Sequence, residues 1–237
     1  MIIFMCQIGR RVEIIAFLLI SLFTPSAALA FEFQSQAAAY LLINAETGAV
    51  LCSHRADVPA YPASVTKIAT ALYAIERGGV SLDRELTVEP ETLMRVAEEA
   101  KALSNYSLPA YWIDEDGTTV PLKAKEKRTF RDLLHATLLL SANDAANVIA
   151  QQVGGTIKQF MAGLNAYLKE IGCLQTCFRN PSGLHHPDHI TTPMDLARMA
   201  QVGLKNPVFS EIVASPKWPA GTDAENSSLM HKTGLPY

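Results

Sequence analysis

The chain has 237 residues, 49% of them hydrophobic and 18% charged, which excludes wholesale disorder and suffices for one α/β domain with a sizeable core. A formal net charge of −3 gives no electrostatic reason to expect nucleic-acid binding. Cys52, Cys173 and Cys177 are the cysteines beyond residue 30, too few and odd in number for a disulfide framework.

Residues 1–30 read as an export leader. Arg10 and Arg11 form a positive n-region, Ile14 to Phe23 an apolar stretch of ten residues, and Ala28-Leu29-Ala30 a small-residue cleavage site. A membrane anchor is the competing reading, but ten apolar residues fall short of the roughly 20 that span a bilayer. Next come two β-rich runs, Tyr40–Asn44 and Ala49–Ser53, about a turn ending in Gly48. They predict a hairpin, which is marginal alone and needs a wider sheet to join.

Pro62 opens the following region, Val65–Ile75 is apolar nearly all round, and Gly78-Gly79 closes it. A helix apolar on every face belongs in the middle of its domain. Residues 80–128 are loop-like, with a short hairpin expected around Asp116-Gly117. Thr129 and Asp132 then resemble a capping box for a helix that Ser141-Ala142-Asn143 interrupts; a second helix runs on to Gly154-Gly155. Thr156 caps a third, with Ile157, Phe160, Met161, Leu164, Leu168 and Ile171 on one stripe, and Thr192-Pro193 start a fourth. No repeat or linker divides the chain, so residues 31–237 read as one folding unit.

The strongest chemical signal is Ser64-Val65-Thr66-Lys67. Residues three apart share a helix face, so the Lys67 amine can reach the Ser64 hydroxyl. A serine hydroxyl needs a neighbouring base to take its proton, and lysine serves when burial lowers its pKa. S-x-x-K also arises by chance, but here it opens an apolar helix preceded by proline. Ser141-Ala142-Asn143 lies 77 residues further on, between two apolar helices. A helix-break Ser or Asn is usually a cap. In this place the hydroxyl could relay a proton between Lys67 and a leaving amine, and the Asn143 amide could hold a substrate carbonyl or amide. His185, His186 and His189, with Cys173 and Cys177, offer a metal-ligating alternative; the surface-loop character of the stretch around Gly183 and Pro187 favours solvated loop histidines.

Three consecutive blocks, residues 41–72, 122–150 and 171–200, resemble the serine-type D-alanyl-D-alanine carboxypeptidases, the low-molecular-mass penicillin-binding proteins. The resemblance covers about residues 38 to 205. It implies a β-lactamase/transpeptidase-like α/β fold, a sheet with a helical block. It further implies a periplasmic, cofactor-free enzyme that removes the terminal D-alanine from peptidoglycan stem peptides and is acylated by β-lactams. By the family pattern Ser64 is the nucleophile, Lys67 its general base, and Ser141 and Asn143 the second motif, while "NPSGL" and Asp195 match structural positions. The family's third motif corresponds to Lys232-Thr233-Gly234, whose lysine and threonine would bind the substrate carboxylate, with Leu235 lending its N–H to the oxyanion hole. Two readings of that triplet stay open. Pro236 lacks the N–H that a strand there would donate to the sheet, and the 91-residue gap from Ser141 is short, so the true motif could instead lie beyond Tyr237.

Family members continue through further strands that pair with the N-terminal hairpin, and usually into a second domain and an amphipathic membrane-binding helix. This chain is therefore expected to be a C-terminally truncated catalytic domain that is unstable or aggregating, with membrane association only through the absent segment. Two alternatives stand beside the carboxypeptidase. A class A β-lactamase would need S-D-N in place of Ser141-Ala142-Asn143 and a deacylating glutamate, for which Glu170 is the candidate. An inert wall-binding chain is the other, against which the intact Ser64, Lys67, Ser141 and Asn143 argue.

Overall fold

In the computed structural model, residues 2–6, 35–220 and 228–231 are described. Strands β1 (Ile2–Cys6), β2 (Tyr40–Asn44) and β3 (Val50–His54) form one sheet in that order, β1 parallel and β3 antiparallel to β2. The expected hairpin is thus present, and its outer partner is residues 2–6, from the segment read as a leader. Asn44 shapes the turn, its Oδ1 accepting from the Glu46 and Thr47 N–H groups at 2.9 Å each. Strand periodicity decides what is buried: Leu41 and Ile43 face inward onto Ala56 and Ala197, while β3 is largely open to solvent.

Helix α1 (Thr66–Arg77) follows a 3₁₀ turn at Ala63–Val65. It packs against every helix that follows residue 129, with Ala69, Ala71, Leu72 and Ala74 fully buried, as its all-round apolarity predicted. Small alanines let neighbours approach closely, and Leu72 alone is worth roughly 1.5–3 kcal/mol of burial. Short elements fill the stretch that the sequence left loop-like: β4 (Glu85–Thr87), β5 (Arg95–Val96), α2 (Glu98–Leu103), β6 (Ile113–Asp114) and β7 (Lys127–Thr129). Here β4 pairs with β7 antiparallel and β5 with β6 parallel. No hairpin forms around Asp116-Gly117. Instead the Gly117 N–H closes a turn on the Asp114 carbonyl at 2.8 Å, and β6 pairs with the distant β5.

Next come α3 (Phe130–Leu139), α4 (Asn143–Gly154), α5 (Ile157–Glu170), α6 (Pro193–Lys205) and α7 (Pro207–Ala214). Their starts follow the sequence signals. Thr129, Thr156 and Thr192 each accept the N–H three residues on, from Asp132, Gln159 and Asp195, at 3.1 Å in every case. Hairpin β8 (Lys217–Ala220) and β9 (Ser228–His231) is antiparallel and lies against α3. Among the described residues, no helix is long and apolar enough to cross a membrane.

Candidate active site

Ser64 sits in the 3₁₀ turn and Lys67 in the first turn of α1. The tight turn stacks residues three apart, which brings the Lys67 Nζ to 3.1 Å from the Ser64 Oγ. Ser64 is exposed, as a group that must meet a substrate has to be, whereas Lys67 is buried. Two further oxygens accept from the amine: Asn143 Oδ1 at 2.8 Å and the Ser182 carbonyl at 2.7 Å. Both are acceptors only. A neutral amine has two N–H bonds and one lone pair, so those oxygens take both hydrogens and the lone pair is left facing the Ser64 hydroxyl. Burial pulls the Lys67 pKa down to about 7, against the opposing pull of the Asp144 carboxylate. The amine is therefore unprotonated in a large share of molecules near neutrality.

Asn143 arrives through a backbone break. Ser141 adopts a left-handed φ of 60°, ending α3 and letting α4 begin at Asn143 in a new direction. The Asn143 N–H donates to the Thr118 carbonyl at 2.9 Å, and Asp144 accepts from the Val120 and Ala145 N–H groups at 3.1 and 2.9 Å. Burial raises the Asp144 pKa to about 6, against those donors. Gly117 leaves room for the amide: a Cβ there would lie 3.0 Å from Asn143 Nδ2 and 2.9 Å from the Asp114 carbonyl oxygen. Ser141 is half-buried beside this point, and its hydroxyl is not one of the three partners of Lys67.

The loop Cys177–Thr191 runs alongside residues 60–70 and grips them repeatedly. Ala60 and Thr191 exchange backbone hydrogen bonds at 2.8 and 3.0 Å, and the Thr70 hydroxyl donates to the Pro181 carbonyl at 2.7 Å. The Asn180 Oδ1 gathers the N–H groups of Ser182, Gly183 and Leu184 at 3.2, 2.7 and 3.1 Å, holding the tight turn that aims the Ser182 carbonyl at Lys67. Gly183 has φ +90°, and a Cβ on it would come within 1.9 Å of the Ala63 carbonyl oxygen and 3.0 Å of the Ser64 nitrogen. Only glycine fits.

His189 corrects the expectation of solvated histidines. It is buried, stacked on Phe178 with centroids 4.7 Å apart, and its pKa is pulled down to about 3 by desolvation. Its Nδ1 accepts the Arg179 N–H at 3.1 Å, so its Nε2 carries the hydrogen and donates to the Thr66 hydroxyl at 2.8 Å. With both nitrogens engaged, His189 has none to offer a metal. Among the described residues no three His, Cys, Asp or Glu side chains gather as a ligand set, and Cys173 and Cys177 are free thiols. Asp195 is structural, as its position suggested: it accepts from the Gln175 N–H at 2.9 Å, the Thr176 hydroxyl at 2.8 Å and Arg198 at 2.9 Å. Glu170, the glutamate a β-lactamase would need, instead ends α5 at the surface, paired with Arg77 at 2.8 Å and 58% exposed. Lys232 and Thr233 lie outside the described residues.

A family model described as D-alanyl-D-alanine carboxypeptidase matches residues 23–235. The D-alanyl-D-alanine carboxypeptidase DacF of Bacillus subtilis is 29% identical over 73% of this chain and 40% of its own length. DacB2 of Mycobacterium tuberculosis is 31% identical over 75% of the chain and 54% of its own. The crystal structure of a D-alanyl-D-alanine carboxypeptidase from M. tuberculosis superposes with a TM-score of 0.68 at 25% identity, covering 83% of this chain and 66% of that one. Penicillin-binding protein 6B from Escherichia coli shares the fold, with a TM-score of 0.71 at 21% identity over 87% of this chain and 61% of its own. The chain spans about half the length of several of the curated relatives that it matches.

Proposed function

The chain belongs to the D-alanyl-D-alanine carboxypeptidase family, and we propose that it acts as a serine acyl-enzyme on peptidoglycan stem peptides. The observation that carries the reading is the buried Lys67 amine, with two carbonyl acceptors and the Ser64 hydroxyl as its three partners. In this reading Lys67 takes the Ser64 proton as Oγ attacks the carbonyl of the penultimate D-Ala. The tetrahedral oxyanion forms against the Ser64 N–H at the entrance to α1, where backbone donors and the helix dipole favour negative charge. The proton returns from Lys67, by way of the Ser141 hydroxyl, to the amine of the departing terminal D-Ala. Water then cleaves the Ser64 ester by the reverse traffic. Asn143 holds both Lys67 and the substrate amide, while Lys232 and Thr233 bind the terminal carboxylate. β-Lactams acylate the same oxygen. No cofactor or nucleic acid enters this scheme. Residues 1–30 direct the chain across the inner membrane to the periplasm, and residues 31–237 supply the catalytic domain.

The test is mass spectrometry of the chain after benzylpenicillin, followed by peptide mapping, with D-Ala release from a stem-peptide mimic measured beside it. A long-lived penicilloyl adduct on Ser64 is expected. Rapid nitrocefin turnover, or an adduct on another residue, would overturn the assignment.

A further inference from the structure

The turn that carries Ser64 is strained. Ala63, the residue before the nucleophile, holds a left-handed φ of 49° although it bears a Cβ. An alanine free to choose favours the right-handed region by roughly tenfold, so a neighbour must hold this one. Its own side chain is exposed, so core packing does not fix it. Within the turn, its carbonyl accepts the N–H of Thr66 in a single 3₁₀ step. Strain of this kind persists only where the surroundings over-determine the backbone. Here the restraint reaches Ala63 through Thr66. That residue lies between the nucleophile and the base in sequence, is fully buried, and receives the Nε2–H of His189 on its hydroxyl at 2.8 Å. His189 is seated on several sides in turn. Its Nδ1 accepts the Arg179 N–H at 3.1 Å, its ring stacks on Phe178, and its own N–H donates to the His186 carbonyl at 2.9 Å. A fixed side chain from a distant loop therefore grips the first turn of α1.

We propose that His189 is a positioning residue for acylation: through the Thr66 hydroxyl it keeps Ala63 left-handed and Ser64 stacked against Lys67. The inference rests on the acyl-enzyme reading above. Without that hydrogen bond the Thr66 side chain loses its anchor, and Ala63 relaxes toward the right-handed region. The 3.1 Å contact between Ser64 Oγ and Lys67 Nζ then opens. A misplacement of about 1 Å at reacting atoms is enough to slow chemistry by roughly 10²-fold. His189 is buried and does not itself touch Ser64 or Lys67 through a hydrogen bond. Its loss therefore belongs in the rate of the bound complex and not in affinity.

The experiment follows benzylpenicillin acylation of Ser64 in the full chain by stopped flow, resolved into a limiting rate and a half-saturating concentration. His189→Leu keeps bulk against Phe178 but removes both side-chain hydrogen bonds. Its limiting rate is expected to fall about 30-fold, with half-saturation within about threefold of the parent. His189→Gln, which can still donate to Thr66, should recover to within about fivefold of the parent. Adding Ala63→Gly to His189→Leu should restore about tenfold, because glycine holds a left-handed φ without strain. Thr66→Val removes the same contact from its other end and should slow acylation about as much, with no further loss when combined with His189→Leu. Limiting rates within about threefold of the parent in both His189→Leu and Thr66→Val would overturn the proposal. So would a deficit that neither glutamine nor glycine relieves, since that marks a residue needed only for packing. Hydrogen exchange of the 61–70 amides is read alongside and needs no chemistry; it should quicken about tenfold in His189→Leu and slow again in His189→Gln. Absence of a penicilloyl adduct in the parent, with that exchange order intact, would overturn the acyl-enzyme reading and leave the held turn standing.

Discussion

The nucleophile's turn and the β2–β3 hairpin are both short polar-edged segments, but they are held in opposite ways. Residues 60–70 are clamped from one side by Cys177–Thr191 and met on the other by Asn143, with each buried polar group closing another's hydrogen bonds. Strand β3 is paired along one edge, and its Val50 and Leu51 are 51% and 52% exposed. The difference shows where substitutions will be felt. Beneath Ser64, where Lys67, Asn143 and Ser182 are buried, a change to one partner strands another polar group, so fold and chemistry fail together. Along β3, the same change meets solvent.

The sharpest way to break this contrast is Lys67→Met. It keeps the length and buried volume of the side chain but removes the lone pair facing Ser64. Loss of a positioned base typically costs 10²–10⁴-fold, so acylation by benzylpenicillin should slow by about 10³-fold while the far-UV spectrum is retained. An acylation rate within tenfold of the parent would mean that another group deprotonates Ser64. Gly183→Ala comes next. Its Cβ would have to occupy space 1.9 Å from a backbone oxygen at a left-handed φ. Residues 62–64 should shift, with about 2–4 kcal/mol lost from unfolding stability and roughly 10²-fold from acylation. Urea melts and stopped-flow acylation read the two effects separately, and a fully active, stable variant would show that the clamp is not needed.

How much of this was legible beforehand depends on distance along the chain. Helix starts were readable because a cap is a local event: Thr129, Thr156 and Thr192 each act on an N–H three residues away. The Ser64–Lys67 pairing was readable for the same reason. Other features had no local signal. The β5–β6 bridge joins two-residue strands with no alternation long enough to detect. The Ser182 carbonyl meets Lys67 across 115 residues, and a backbone oxygen leaves no trace in residue type. His189 looked solvated because its neighbours Pro187 and Asp188 are; only the fold reveals Phe178 beneath its ring.

A milder probe uses pH. Because Lys67 must be unprotonated to act, acylation should rise with pH through about 7 and then level off, as a single-proton curve. The accompanying stability term has a fixed sign. A lysine whose folded pKa is depressed binds its proton more weakly in the fold, so its contribution is full above the unfolded value of 10.5 and is lost as pH falls to about 7. Asp144 raises the Lys67 pKa. Asp144→Asn should therefore move the midpoint of the acylation curve to lower pH, giving a several-fold faster relative rate at pH 6. The amide keeps an oxygen for Val120 and Ala145 but turns its NH₂ toward the Leu122 N–H, now 3.4 Å from the carboxylate, so a modest loss of stability should accompany the shift. A midpoint that stays fixed or moves upward would rule out this coupling.

The smallest effect is expected at β3, and it completes the contrast. Leu51→Lys removes an apolar group that is already half in water and places a charge on a strand edge, where lysine discourages pairing with other chains. Leu51 sits at the register shift of β3, between Val50 and Cys52, which pair with Ile43 and Leu42 of β2, and its neighbours Val50, Ser53 and His54 are exposed too. Unfolding free energy should therefore stay within about 0.5 kcal/mol of the parent, as for surface positions generally, and acylation of Ser64 should be unaffected. What should change is the rate of turbidity growth at high concentration, which ought to fall. A loss of more than about 1 kcal/mol would place β3 in the same class as the nucleophile's turn, with the strand's open face closely coupled to the helical block rather than merely resting on it.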